Sequence, residues 1–303
     1  MDYRFGKNAG LLVLGIPALV FAILLWSGKW WFLERARSNS PNIVQFTASI
    51  ELDIQPSFSP DGSTIAYASD RSGGFEIYFH PVASGGAAVQ ITSDGQQNLE
   101  PSWSPNGQFI VYTSHGRKGI FVVHPLEGSP RRLTDFGSQP AWSPDGSQIV
   151  FRSDELSTPT NIWVVSTQGG LPRPLTRINN PTGAHSSPRW HPDGASILFV
   201  NTGYGEETVW SVRLNDGSQA RLFDDKTVRS YPAYSRNGRH LYYVSPSSAG
   251  FSVWRQPLRE GKPVEVLALG STLPRDLTFD RSGLRLAYTE TSGNIFFAEL
   301  GNR

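Results

Sequence analysis

Short apolar runs separated by polar turns recur along the chain and indicate its architecture. Six times an aromatic residue is followed four positions later by glycine and nine positions later by a second aromatic. The first aromatics are spaced 45, 39, 48, 44 and 45 residues apart, and they are Phe58, Trp103, Trp142, Trp190, Tyr234 and Phe279. A period of about 40–45 residues built from short strands is typical of a β-propeller. The sequence therefore predicts an all-β fold, a six-bladed β-propeller.

Each repeat predicts short strands joined by a tight turn. In the first repeat, Pro60 presets its φ angle, Asp61 bonds local backbone and Gly62 accepts a positive φ. The strand that follows each turn is a continuous apolar run, which indicates burial on both faces between neighbouring blades. A β-sandwich also has frequent turn signals, but the fixed offsets in all six copies favour the propeller.

Only five outer strands follow the third strands of the six repeats. The sixth is expected near the other end of the chain, where Val44-Gln45-Phe46-Thr47 resembles Val89-Gln90-Ile91-Thr92. We expect residues 44–47 to lie alongside residues 295–300 and to complete the last blade. This N-terminal outer strand would join the two ends of the ring by backbone hydrogen bonds and remove an open edge.

An apolar segment precedes the repeats. Between Lys7 and Lys29 lie 21 uncharged residues, enough for a helix of roughly 30 Å that crosses one hydrocarbon core. Trp26, Trp30 and Trp31 lie at its far end, where an aromatic belt is expected. The sequence thus predicts a tail over 1–9, one transmembrane helix over 10–33, a polar linker over 34–42 and the propeller over 43–303.

Cleavage and orientation of this segment stay open. A cleaved signal peptide is the alternative to an anchor, although bulky and charged residues crowd the place where small residues should precede a cut. Lysine and arginine occur on both sides of the segment, so their distribution does not fix the orientation. The short tail and signal-like start favour export of the propeller.

Composition and motifs exclude several classes of chemistry. A net charge of +1 predicts neither nucleic-acid binding nor a strongly acidic partner. The absence of cysteine rules out disulfides, thiolate zinc sites and thiol nucleophiles. No nucleophile elbow, phosphate-binding loop, dinucleotide fingerprint or zinc-protease motif occurs. The six histidines are dispersed, and the closest pair, His185 and His191, has no usual zinc spacing. We therefore expect no cofactor and no metal site.

Two sets of residues are candidates for binding. The residue just before each first strand should line the central opening, and these residues are Gln55, Glu100, Gln139, Ser187, Tyr231 and Asp276. Cationic side chains on or near the same face form the second set, which is Arg71, Arg117, Lys118, Arg189, Arg229 and Arg275. Arginine and tyrosine are frequent anchors at interfaces. As an alternative, Glu100 and Asp276 would be the acid and base of a hydrolase or lyase.

The repeat resembles the WD40-like (PD40) repeat of the TolB propeller family. The clearest copies are Pro56–Gly62, Pro101–Gly107 and Ala141–Gly146, and the resemblance covers residues 43–300. It implies a non-catalytic, protein-binding propeller in the bacterial periplasm, here held at the inner membrane by the N-terminal helix or released after signal cleavage. Similar propellers follow a membrane helix in sensor-regulators, so the sensor part of such a regulator, without its output domain, is a further alternative.

Overall fold

The computed structural model describes residues 43–300 except 84–85, 154–158, 178–182, 204–205, 224, 226, 272, 281 and 284. These residues form six four-stranded antiparallel sheets, the six predicted blades. The first strands of blades 1 to 6 are Asp53–Phe58, Asn98–Trp103, Ser138–Trp142, Ala184–Trp190, Ser230–Tyr234 and Asp276–Phe279. The second strands are Thr64–Ser69, Ile110–Ser114, Gln148–Arg152, Ser196–Gly203, His240–Ser247 and Arg285–Thr289. The third strands are Glu76–Pro81, Ile120–Val123, Ile162–Ser166, Glu206–Arg213, Gly250–Pro257 and Ile295–Glu299. The outer strands are Val89–Gln90, Arg131–Arg132, Arg173–Pro174, Gln219–Arg221, Val264–Gly270 and, for blade 6, Ile43–Gln45.

The first strands surround a common axis. Each contacts the first strands of the blades on either side, and blade 6 contacts blade 1 in the same way, which completes a cycle. The inner edge of every blade therefore borders a central channel. The remaining strands lie progressively outward in each sheet.

The core is divided into six apolar clusters, one between each pair of adjacent blades. The second aromatic of every repeat is at most 2% exposed, and these residues are Tyr67, Tyr112, Phe151, Phe199, Tyr243 and Tyr288. The continuous apolar second strands are buried because both of their faces meet a neighbouring blade. This explains why their sequence does not alternate between apolar and polar residues.

The N-terminal strand closes the ring as predicted. Ile43, Val44 and Gln45 pair with Ala298, Phe297 and Phe296 of the last third strand. The next residue, Phe46, donates its N–H to the carbonyl of Ile295 at 2.8 Å. Closure by backbone hydrogen bonds leaves no open seam between the last blade and the first.

A threonine after the outer strand repeats in four blades. Its Oγ1 accepts the N–H of the first apolar residue in the third strand, at 2.9–3.1 Å. The threonines are Thr92, Thr134, Thr176 and, in the closing strand, Thr47. The N-terminal segment thus makes the same contact as the outer strands within the continuous blades.

The predicted tail, membrane helix and linker over 1–42 lie outside the described residues. Within the part that is described, no helix is long and apolar enough to span a membrane.

Replacement of Thr47 by valine tests the closure. Thr47→Val keeps the shape of the side chain but leaves the buried Ile295 N–H without its acceptor, which stands 3.0 Å away. We expect the free energy of unfolding to fall by about 1–3 kcal/mol, measured by urea denaturation. The control is Val44→Thr in the same strand, where the side chain is 48% exposed and little change is expected. Equal stability of Thr47→Val and the wild type would contradict this role of the closing strand.

Candidate functional site in the central channel

The six predicted channel residues occupy equivalent places on the inner strands. Five of them lie within the strand rather than just before it, have a positive φ of 52–58°, and precede a proline. They are Gln55, Glu100, Gln139, Ser187 and Tyr231, and the pairing with the second strand shifts register at each. Asp276 begins its strand, and the pairing there is regular. The bulge turns the backbone N–H of each of the five residues away from its own sheet.

Side chains of this ring accept amide hydrogens from the next blade. Asp276 Oδ2 accepts the N–H of Gln55 at 2.9 Å, and Gln55 Oε1 accepts that of Glu100 at 2.9 Å. Glu100 Oε2 then accepts the N–H of Gln139 at 2.6 Å, and Gln139 Oε1 that of Ser187 at 2.7 Å. The series runs from blade 6 through blades 1, 2 and 3 to blade 4. The inner strands are therefore joined by side chain–backbone bonds around much of the channel.

The two channel carboxylates are held in place by several donors. Glu100 Oε2 also accepts the hydroxyl of Thr113 at 2.7 Å. Asp276 Oδ1 accepts the N–H of Thr289 at 3.2 Å. Burial raises the pKa of Asp276 to about 6, an effect that the hydrogen bonds from Thr289 and Gln55 and the charge of Arg189 oppose. These two carboxylates thus connect neighbouring inner strands by hydrogen bonds and also place negative charge in the channel.

Arg189 carries the positive charge of the channel. It lies two residues beyond Ser187, at a position where the other blades have small side chains, namely Ser57, Ser102, Ala141, Ala233 and Thr278. The Arg189 side chain reaches solvent but is surrounded by the inner strands of the ring. This enclosure lowers the pKa of its guanidinium, and the charges of Glu100 and Asp276 oppose the shift. Those carboxylates belong to blades 2 and 6, so a group coupled to both extends into the channel from blade 4. Tyr231, whose pKa burial raises to about 12, also senses the charge of Asp276.

The other predicted cations make mostly local contacts. Arg71 pairs with Asp53 at 2.8 Å, and Arg117 pairs with Asp94. Arg229 is only 4% exposed and binds both carboxylate oxygens of Asp225 at 2.6 and 2.8 Å. The structure therefore brings together Arg189 and the channel ring but does not gather the arginines into one patch. Arg275 is exposed beside Asp276.

The histidines and turn carboxylates have structural contacts. His185 is buried, its ring Nδ1 lies 2.7 Å from Thr176 Oγ1, and burial lowers its pKa to about 4. His191 stands next to a turn and lies 2.7 Å from Asp193. Asp61 accepts the N–H of Ser63 at 3.0 Å, as expected for an aspartate in a turn. No three histidine, aspartate or glutamate side chains of the described ranges group as metal ligands.

The sequence analysis did not predict the side chain–backbone hydrogen bonds between blades. They join a side chain to the backbone of a residue 39–48 positions away, or 221 across the closure. The available signal was the recurrence of Gln or Glu before proline at the start of three first strands, at residues 55, 100 and 139. The partner of each side chain becomes apparent only when the blades are stacked.

Asp276 predicts a specific pH dependence of stability. Its pKa of about 6 in the folded protein lies above the ordinary value of 3.8. The folded state binds this proton more tightly than the unfolded chain, so the contribution of Asp276 to stability is greatest at low pH and declines as the pH rises from about 4 to 6. Asp276→Asn removes the titration. We expect the free energy of unfolding of the wild type minus that of Asp276→Asn to fall over this range, on the order of 1–3 kcal/mol.

Asp61→Asn provides the control, since hydrogen bonds from Ser59 and Ser63 lower the pKa of Asp61. The corresponding difference for Asp61→Asn should stay nearly flat from about pH 4 to 6 and change only at lower pH. Urea denaturation at several pH values measures both differences. If the difference between wild type and Asp276→Asn stays flat or rises over this pH range, the ionised carboxylate of Asp276 is not destabilised by its enclosure in the ring.

Comparison with known proteins supports the fold. No curated protein sequence matches the chain. Among solved structures, TolB from Acinetobacter baumannii has a TM-score of 0.62 and 19% sequence identity. The alignment covers 79% of this chain and 64% of the TolB chain. A gluconolactonase from Xanthomonas campestris has a TM-score of 0.64 and 14% identity, covering 86% of this chain and 90% of that one. A chain of the nidogen/laminin complex has a TM-score of 0.53 and 16% identity, covering 71% and 80%. At these identities the similarities show the fold alone.

The sequence itself matches a family model. Residues 32–179 match the TolB beta propeller domain, PD40. The matched part contains the three clearest copies of the motif, and the structure shows the same strand order in all six repeats. Together these findings show a six-bladed β-propeller that is similar to the TolB beta propeller domain, PD40, over residues 32–179, just under half of the chain.

Proposed function

We propose that this chain is a membrane-anchored, exported propeller that binds a protein partner at its central channel and has no catalytic role. The observation that carries the proposal is the contrast between the channel's charged groups. Glu100 and Asp276 accept amide hydrogens of the next blade, whereas the Arg189 side chain donates from Nη1 to the carbonyl of its own neighbour, Pro188, at 2.9 Å. Arg189 is thus a solvent-facing cation on a rigid inner ring, which is suited to recognition.

Relatives of the fold support a binding role. TolB has the same propeller, and the nidogen/laminin structure contains a similar propeller in a complex between two proteins. In this chain Tyr231 lies on the same inner ring as the residues around Arg189 and senses the charge of Asp276. A partner segment that enters the channel would therefore contact the aromatic ring of Tyr231 and the guanidinium of Arg189.

An enzymatic role is the second candidate, favoured by the gluconolactonase of the same fold and by the coupling of Glu100 and Asp276 to Arg189. In this alternative one carboxylate acts as acid and the other as base. Lactone hydrolysis by the wild type that is lost in both Glu100→Gln and Asp276→Asn, with the fold intact, would favour the enzyme over the binding module.

Substitution of Arg189 tests the binding role. The full chain, solubilised from a bacterial envelope after crosslinking, should retain a defined protein partner. We expect Arg189→Ala to reduce the amount retained about tenfold or more, since loss of an interface anchor costs about 2 kcal/mol or more. The control is Arg213→Ala at an exposed strand end. Equal retention by both variants, or no partner above an unrelated membrane protein, would contradict the proposal.

Export of the propeller is tested by reporters fused after Arg303. The proposed orientation places this end outside the cytoplasm, so an alkaline phosphatase fusion should be active and a cytoplasmic β-galactosidase fusion inactive in a Gram-negative host. Membrane extraction then separates anchor from signal peptide, because a retained helix of 21 uncharged residues requires detergent for release. The reverse pattern of reporter activities would contradict export.

A further inference from the structure

Blades 1 and 2 carry three matching polar positions between their inner strands and the neighbouring blade. The residues are Asp53, Tyr67 and Ser69 in blade 1, and Asn98, Tyr112 and Ser114 in blade 2. Asp53 pairs with Ser69, and Asn98 pairs with Ser114, across the first and second strands. Each tyrosine precedes its serine by two residues, so all three side chains of a blade lie on one face of its sheet.

In blade 1 a guanidinium satisfies this set. Arg71 donates from Nη2 to Asp53 Oδ1 at 2.8 Å and to Tyr67 Oη at 3.2 Å, and from Nε to Ser69 Oγ at 2.9 Å. Arg71 also lies over the ring of Tyr78, with its Cζ 4.8 Å from the ring centroid. The three oxygens of blade 1 therefore surround a single positive charge.

In blade 2 the equivalent oxygens are orphaned. Arg117 lies over Phe121 at 5.0 Å, much as Arg71 lies over Tyr78, but its guanidinium pairs with Asp94. Asn98 Oδ1, Tyr112 Oη and Ser114 Oγ are buried and have no hydrogen-bond partner among the described residues. All three side chains are 0% exposed. Buried polar atoms are normally paired, so three together on one face indicate a bound species.

A carboxylate of blade 1 lies beside the Asn98 amide. Glu76 is 2% exposed and accepts hydrogen bonds from Thr92 Oγ1, from the Gly95 N–H at 2.5 Å and from Asn98 Nδ2 at 2.8 Å. Asn98 Nδ2 also donates to Asp94 at 2.8 Å, which fixes the amide with its oxygen pointing away from both carboxylates. Burial raises the pKa of Tyr112 and the charge of Glu76 raises it further, so the phenol lies within the electric field of this carboxylate.

The charges of the two sites differ by one unit. In blade 1, Asp53 and Arg71 balance, and the residue equivalent to Glu76 is the neutral Asn294. In blade 2, Arg117 balances only one of the carboxylates of Glu76 and Asp94. The buried site of blade 2 thus has one uncompensated negative charge beside three unpaired oxygens, and an isolated buried charge is costly unless it is paired.

We propose that Asn98 Oδ1, Tyr112 Oη and Ser114 Oγ bind one monovalent metal cation, Na⁺ or K⁺, where blade 2 meets blade 1, and that the nearby negative charge of Glu76 stabilises the ion without being its ligand. Carboxylate, carbonyl and hydroxyl oxygens are the donors that hard cations prefer, and a single positive charge matches the charge deficit. The ion takes the place that the Arg71 guanidinium has in blade 1. From its site in blade 2 the ion compensates the charge of Glu76 in blade 1 and so stabilises the interface between these blades, which lies next to Glu100 in the channel ring.

Thermal unfolding of the full chain in detergent tests this site. KCl or NaCl is titrated against choline chloride at constant total chloride. We expect the wild-type melting temperature to rise saturably by about 2–4 °C with K⁺ or Na⁺, and Glu76→Gln to lose this rise. The control is Glu265→Gln in blade 5. Glu265 accepts a hydrogen bond at 2.8 Å from the hydroxyl of Ser252, and Ser252 occupies the position in blade 5 that Glu76 has in blade 1. This variant should keep the full rise in melting temperature.

Identical melting of the wild type in all three salts would overturn the proposal and leave the three oxygens to ordered water. A rise that persists in Glu76→Gln would overturn the location. A second measurement covers a variant that fails to fold: wild-type crystals soaked in Tl⁺, an anomalous scatterer of similar chemistry to K⁺. An anomalous peak in contact with Asn98 and Ser114 supports the site, and peaks only elsewhere, or none, refute it.

Discussion

The backbone hydrogen bonds between Ile43–Gln45 and Phe296–Ala298 are the constraint on which the rest of the ring depends. Each apolar cluster belongs to two neighbouring blades, including the one in which Phe58 and Tyr67 of blade 1 pack with Ile295 of blade 6. Without the closing strand, blade 6 would present an unpaired outer edge next to this cluster. Because each blade buries its faces only against its neighbours, one loosened blade exposes apolar surface on both sides. The short N-terminal strand therefore affects stability far beyond its own three residues.

A second set of bonds works at the axis. Four channel side chains each accept an amide hydrogen of the next blade, and the bulge at five inner strands directs those amides toward their acceptors. The polar lining is consequently part of the scaffold. This arrangement explains how the channel keeps two carboxylates near the axis. Arg189 extends toward them from another blade, and in the proposed function it is the charged group that contacts the partner.

The sequence was sufficient for the blade count, the turns and the closing strand, because these features follow from fixed local offsets. Asp61 and its counterparts bond backbone two residues away, which the turn motif predicts directly. The roles of the arginines were less accessible. Arg71 and Arg117 occupy similar loops, yet one binds three side chains of its own blade and the other turns to Asp94. That difference depends on strand register and on the facing blade. The membrane helix over 10–33, and with it the localisation, stays a prediction.

Amide hydrogen exchange of the full chain tests the closed ring most directly. The Phe46 N–H bonds to Ile295 at 2.8 Å and the Ile295 N–H to Thr47 at 3.0 Å, while Ile91 and Ile77 make the same pair of bonds within blade 1 at 2.8 and 2.9 Å. If the N-terminal strand is an integral part of blade 6, the amides of residues 46 and 295 will be protected to a degree similar to those of 91 and 77. Rapid exchange at 46 and 295, with 91 and 77 still protected, would show that the ring is open at this point.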